Sequence, residues 1–269
     1  MTLRFDPLKI FRASKTPWGL YARQKWINEE HNGAWKADFQ ITVDQLMKGQ
    51  SPEGSWDHSF LKTIQRLFGL HLTVRYTSKD IDRSLDWLIE KASETFSSRR
   101  ADIGEPVTAA ALRGLPFSPG SSRYLMLGAT LFLATIFGRG HDERVLELYE
   151  ALNRLGKENK GRWCGWSCSN NILRAFVVHP TYAKTETMSL AIEALANVQK
   201  PSGRWPDQVP FYQTANALAH LNLSQADMQL DRAFKRLYET QRTDGSWGQT
   251  QREWNTFLIV HALRNKGVL

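Results

Sequence analysis

The stretch QKPSGRW, Gln199 to Trp205, returns 42 residues later as QRTDGSW, Gln241 to Trp247, and the sequence around the two copies matches in the same register. A fixed interval marks an internal repeat, which decides the architecture before any single residue is weighed. Another 42 residues back from Trp205 lies Trp163 in KENKGRW, where only the glutamine is lost. QSPEGSW, Gln50 to Trp56, restores the whole pattern, and Glu29, Gly33 and Trp35 form a degenerate fifth copy.

The residues before each copy form one apolar helical face. Phe39, Val43, Leu46 and Met47 precede Gln50; Met188, Ile192, Leu195 and Val198 precede Gln199; Leu230, Phe234, Leu237 and Tyr238 precede Gln241. The motif therefore ends a helix, where Gly203 or Gly245 takes a left-handed backbone that other residues resist. The glutamine amide is expected to meet the unpaired carbonyls of its own helix end, and the tryptophan to cover the turn. This assigns structural roles to Gln50, Trp56, Trp163, Gln199, Trp205, Gln241 and Trp247.

A more uniformly apolar segment follows each motif, at 58–72, 169–178, 211–221 and 253–263. Helices apolar on most sides are buried, so these are inner elements and the one-faced helices are outer ones. Thr16-Pro17 starts another inner helix near Trp18, since threonine caps and proline suits the first turn. The 107 residues between Trp56 and Trp163 exceed two repeats, and the excess falls at 97–122, a stretch rich in helix breakers. Around it, 78–94 and 142–155 read as outer helices and 123–137 as an inner one. With no strand pattern, the class is all-α. Helical hairpins of constant length either extend as a solenoid or close, and buried inner helices argue for closure. The organisation expected is an α/α barrel, or toroid, of about five to six hairpins over 17–269, with 1–16 an extension lying across the surface.

Composition narrows the function classes. The 269 residues include 42% hydrophobic residues and ten tryptophans, enough for a large core. The formal charge of +8 favours anionic company, yet the charges are scattered and form no nucleic-acid module, so no nucleic acid is expected. The longest apolar run, Tyr124 to Phe137, is shorter than a spanning helix and reads as a buried helix or a surface that dips into lipid. Two cysteines and no secretion signal point to the cytoplasm or its membrane face.

The Gln-xxx-Gly-x-Trp repeats resemble the QW repeats of squalene and other triterpene cyclases, and of the related protein prenyltransferase β subunits. The resemblance covers nearly the whole chain from about residue 17 and implies a toroid with a central cavity. Two hallmarks of that superfamily's chemistry do not carry over. The Asp-x-Asp-Asp acid motif is missing, because Asp80-Ile-Asp82 lacks the last aspartate, and so is the Asp-Asp-x-x-Asp magnesium motif. The segment Phe211-Tyr212-Gln213-Thr214 resembles a prenyltransferase segment whose histidine ligates zinc, with Gln213 in the histidine's place. Cys168 lies near the family's cysteine ligand, but Trp166 stands where its aspartate would be. One of three ligands is too few, so no metal and no cofactor is expected.

The 42-residue register then selects candidate residues. Asn171, Gln213 and Asn255 place an amide near the start of three successive inner helices, where helix N-termini favour a polar head group. Cys168, Arg174, Tyr212 and Trp254 lie beside them as further ligand-binding candidates. Asp57 with His58 forms a candidate acid/base pair at the cavity mouth, with Asp57 alternatively an N-cap, and Glu253 is a candidate proton donor. His220 and His261 are not at equivalent repeat positions and read as core histidines. Three functions follow in order. The first is a prenyltransferase-like or cyclase-like toroid holding an isoprenoid or other apolar molecule. The second is a non-catalytic scaffold for a protein partner, with Leu115 to Pro119 as a docking loop. The third is a carbohydrate-active α/α barrel, which requires paired carboxylates.

Overall fold

The computed structural model describes residues 3–98 and 107–269. Eleven α-helices occur among them: α1 (Pro17–Lys25), α2 (Gly33–Met47), α3 (Phe60–Thr73), α4 (Lys79–Ser97), α5 (Ser122–Ile136), α6 (Glu143–Glu158), α7 (Trp166–Phe176), α8 (Glu186–Val198), α9 (Phe211–Leu218), α10 (Ser224–Thr240) and α11 (Arg252–Asn265). Thr16 caps α1 by accepting the Gly19 N–H at 3.0 Å, and Pro17 occupies the first turn. The odd-numbered helices form an inner ring in which α1 packs on both α3 and α11, so the ring closes. The even-numbered helices lie outside and return the chain, which leaves the inner helices parallel. This is the α/α toroid expected from the repeats. Its apolar run from Tyr124 to Phe137 is α5 and the residue after it, buried along nearly its whole length. Among the described residues no helix is long and apolar enough to cross a membrane.

The repeat motif works between neighbours rather than within one helix end. Gln50 Nε2 donates to the Asp80 carbonyl of α4 at 2.8 Å, and Gln199 Nε2 to the Gln229 carbonyl of α10 at 2.9 Å. The glutamine thus ties its turn to the next outer helix, not to the end of its own as expected. The tryptophan faces the other way: Trp56, Trp163 and Trp247 donate their indole N–H to Lys48, Leu152 and Leu237, in or just after the preceding outer helix. Their backbone N–H groups donate to Thr63, Ser169 and Thr256 at the start of the following inner helix. One seven-residue turn therefore joins three helices.

At the last copy no outer helix remains, and the N-terminal segment takes its place. Gln241 Nε2 donates to the Phe5 carbonyl at 2.9 Å, while its Oε1 accepts the Arg4 and Phe5 N–H groups. Gly245 lies directly against Asp6 and Pro7, and Phe11 is fully buried. The segment is built into the ring, where the sequence suggested a strap across the surface. The proposed fifth copy is different again. Gly33 and Trp35 lie inside the first turn of α2, and Trp35 donates to the Leu20 carbonyl, so no repeat turn exists there.

A pair of glycine substitutions separates a true copy from the false one. Gly203 has φ +78° and packs against the Arg232 carbonyl, so a methyl group there is strained in the backbone and blocked by α10. Gly203→Ala is expected to cost about 2 kcal/mol or more, the scale for a left-handed non-glycine residue plus overpacking. A methyl group added at Gly33 meets nothing within 4 Å, so Gly33→Ala should change stability by no more than about 0.5 kcal/mol. Urea midpoints of the two variants check this, and equal losses would remove the distinction.

The described part of the inserted region, 107–121, folds inward. Leu112, Leu115 and Phe117 are buried, and the Phe117 ring meets Phe132 of α5 edge-on at 5.8 Å. Gln65 of α3 donates to the Ala111 carbonyl, and Gly114 lies on the ring of Trp18. The loop thereby plugs the toroid from the end where the inner helices begin. The rest of the expected insertion, 99–106, lies outside the described residues.

Candidate functional site

All six inner helices contribute to one central cavity of about 110 Å³. Its walls are aromatic: Phe68 from α3, Phe132 from α5, and Trp254 and Phe257 from α11, the last two stacked at 5.4 Å between centroids. Pro116 of the plugging loop also borders it. The half-buried lining residues His71, Ile136 and His261 lie in the last turns of their helices, and Val178 and His220 lie just past theirs. The cavity thus deepens from that end toward the plug.

Polar groups enter this apolar space at one side. Arg174 of α7 is 2% exposed. Its guanidinium donates to the Asn216 side-chain oxygen and to the Gln213 carbonyl, each at 2.7 Å, while its Nε–H has no partner. Asn216 passes the contact on, donating to the Leu258 carbonyl at 2.8 Å. Arg174, Asn216 and Leu258 are spaced at the 42-residue interval, so equivalent positions of three inner helices are linked around the ring. His220 and His261 face each other at 5.3 Å, and the Asn216 amide lies 3.4 Å from His261 Nδ1. Burial and the nearby Arg174 charge hold His261 down at about 4 and lower His220 well below its usual value. His71 is likewise held at about 4, first by burial and then by Arg75 and His261. Burial lowers the guanidinium itself to about 9, which still leaves it charged at neutral pH. Among the described residues no Asp or Glu lines this cavity.

The residues picked out in the sequence divide among several places. Arg174 and Trp254 line the central cavity. Asn171 is fully buried elsewhere, its amide nitrogen donating to the Ser118 carbonyl and its oxygen accepting the Ser118 N–H, so it clamps the plugging loop. Gln213, Asn255 and Tyr212 share an outer hollow of about 350 Å³ near the starts of α9 and α11, where burial raises the Tyr212 phenol. The three amides therefore do not form one level of a head-group site. Cys168 is buried against Gly120 of the loop, and burial raises its thiol.

The acid/base candidates lie apart from the cavity. Asp57 pairs with Lys62 and His58 with Glu53, both histidine and aspartate largely exposed, and the cap of α3 is Ser59 rather than Asp57. Both residues have left-handed backbone, which aims the turn outward. Glu253 accepts hydrogen bonds from Ser14 and Thr16 and so anchors the N-terminal segment to α11. Among the described residues no cluster of three or more His, Cys, Asp or Glu is placed to hold a metal ion.

The sequence reading set His220 and His261 aside as core histidines and did not reach His71, although the register carried a signal for the cavity position. His71, Val178 and His220 each lie 15 residues after a motif tryptophan, and all three face the cavity. His261 falls one residue short of that position, which hid its kinship with His220.

The same architecture occurs in solved structures. A protein from Actinoplanes superposes with a TM-score of 0.58 at 17% identity, over 94% of this chain and 89% of that one. The type II terpene cyclase MstE from Scytonema, in its apo form, gives 0.57 at 14% identity over 95% and 88% of the two chains. A variant of that cyclase in complex with its substrate, geranylgeranyl dihydroxybenzoate, gives 0.56 at 12% identity over 95% and 87%. The fold is therefore that of a terpene-cyclase-like α/α toroid. No protein-family model and no curated protein matches the sequence.

Proposed function

We propose that the central cavity binds a small apolar molecule of the isoprenoid or aromatic kind, and that the toroid is a ligand-holding member of its fold. The observation that carries this reading is a central space bordered by all six inner helices, with aromatic walls from α1, α3, α5 and α11. A cyclase-like toroid elsewhere takes a prenylated benzoate, which makes prenyl and aryl groups the natural probes. The volume of about 110 Å³ lies below the roughly 300–1,000 Å³ of ordinary ligand pockets, so short ligands suit the cavity as it stands. Longer chains would require the 107–121 loop to move. Protonation-initiated cyclisation and paired-carboxylate glycoside chemistry both need an acid at the reacting group, and among the described residues no carboxylate lines this cavity.

A scaffold role is the second reading, and one observation favours it: Leu112, Leu115 and Phe117 of the loop are buried in the interior. Thermal unfolding with a neutral five-carbon prenyl alcohol decides between them. At ten times its dissociation constant the alcohol is expected to raise the melting temperature by about 3–5 °C. Val178→Trp, which adds an indole at the cavity wall while keeping every polar lining residue, should abolish the shift. No shift in the native protein would favour the scaffold.

A further inference from the structure

Among the described residues two arginines are buried, and they are partnered differently. Arg23 is 4% exposed and is neutralised by Glu29 at 2.8 Å and Asp38 at 2.9 Å. Arg174 is buried more deeply, has no carboxylate partner among the described residues, and uses its guanidinium on one amide oxygen and one backbone carbonyl. Its Nε–H remains unpaired beside a cavity. An uncompensated buried charge costs several kcal/mol even after relaxation. The converging C-terminal dipoles of the inner helices offset at most about 2 kcal/mol of that. Neither a packed scaffold nor a purely apolar pocket gains from keeping such a group, since an apolar side chain of similar volume would be at least as stable.

We infer that Arg174, flanked by Asn216, His220 and His261, is an anion seat, so that the ligand is a small apolar acid whose carboxylate or phosphate pairs with the guanidinium while its apolar body lies against Trp254, Phe257 and Phe68. The inference rests on the reading of the central cavity as a ligand site and adds the chemical class of the ligand. Five donors in a planar fork suit a two-oxygen acceptor, and only part of that capacity is used within the protein. The neutral imidazoles each bring one further N–H and no competing negative charge. An anion arriving here neutralises Arg174 without displacing a carboxylate, because among the described residues none lines the cavity.

The test uses matched probes on the full chain by titration calorimetry: prenyl alcohol against prenyl monophosphate, and benzyl alcohol against benzoate. A charge-assisted hydrogen bond contributes about 1.5–3 kcal/mol, so at least one acid should bind ten-fold or more tightly than its alcohol. Which acid does so separates a phosphate from a carboxylate ligand. In Arg174→Met the acid-to-alcohol affinity ratio should fall to about one, and Arg174→Lys should retain part of the preference. Equal affinity for acid and alcohol in the native protein overturns the anion seat but leaves the apolar site intact. A preference that survives in Arg174→Met also overturns it. Binding of none of the four probes rejects the ligand site and the anion seat together. Should Arg174→Met fail to fold, the acid-to-alcohol ratio of the native protein still decides.

Discussion

Trp247→Ala is expected to lower the stability of the protein by about 3–5 kcal/mol, the range for truncating a buried tryptophan. Trp247 is fully buried. Its indole donates to the Leu237 carbonyl of α10 at 2.8 Å, and its backbone N–H donates to Thr256 of α11 at 3.1 Å. Removing the ring leaves a large void between an outer and an inner helix and strips the Leu237 carbonyl of a partner. The turn it covers is also the one that receives the N-terminal segment through Gln241 and Gly245, so the damage falls at the closure of the ring. Against a typical stability of about 5–15 kcal/mol, such a loss approaches unfolding at physiological temperature. Trp247→Phe keeps most of the volume and should lose less than half as much. Urea denaturation of both variants measures the difference, and a loss below about 1 kcal/mol for Trp247→Ala would show that the motif does not hold the ring together.

Asn171 belongs with the stabilising residues on structural grounds, although its spacing groups it with Gln213 and Asn255. Both ends of its buried amide are satisfied by Ser118, a residue 53 positions away in a loop with no repeat counterpart. Such a contact leaves no trace in periodicity. The toroid itself was readable because one interval recurs, and a recurring interval reports on every helix at once. Inner and outer helices were distinguishable by how much of their circumference is apolar, as α5 and α10 illustrate. The exchange of the sixth outer helix for residues 3–11 was not readable, since the short segment has no helical period and its role is set by what Gln241 lacks on its far side. Arg174 was picked out only as a neighbour of the register amides, one turn inside its helix, and its burial without a carboxylate among the described residues depends on packing with α9. The acid/base pairing of Asp57 with His58 failed for a local reason, because the left-handed turn after Trp56 sends both side chains to solvent.

Acidification from pH 7 to pH 5 is expected to destabilise the ligand-free protein before the ion-paired aspartates Asp38, Asp86 and Asp142 are protonated. Burial holds His71 and His261 at about 4 in the folded chain, against 6.5 when unfolded, and lowers His220 in the same direction. The charges facing them are Arg75 and each other for His71, Arg174 for His261, and His261, Arg174 and Lys266 for His220, all of which oppose protonation. Between pH 6.5 and 4 the unfolded chain therefore binds more protons than the folded one, and stability falls with pH across that window. For half-buried imidazoles the loss at pH 5 is roughly 1–2 kcal/mol each, or about 2–4 kcal/mol for His71 and His261 together. His179, lowered by burial and accepting the Thr181 N–H, adds a smaller term of the same sign. The ion-paired aspartates behave oppositely in range: Asp38, Asp86 and Asp142 are lowered from 3.8, so their contribution is lost only below about pH 4. A decline that begins near pH 6.5 thus reports the cavity histidines. Urea midpoints at pH 7, 6 and 5 should fall in the native protein and fall clearly less in a His71→Phe, His261→Phe double variant. Identical slopes in the two proteins would place the acid sensitivity elsewhere, and a flat profile from pH 7 to 5 would mean that the cavity admits enough water to leave its imidazoles unperturbed.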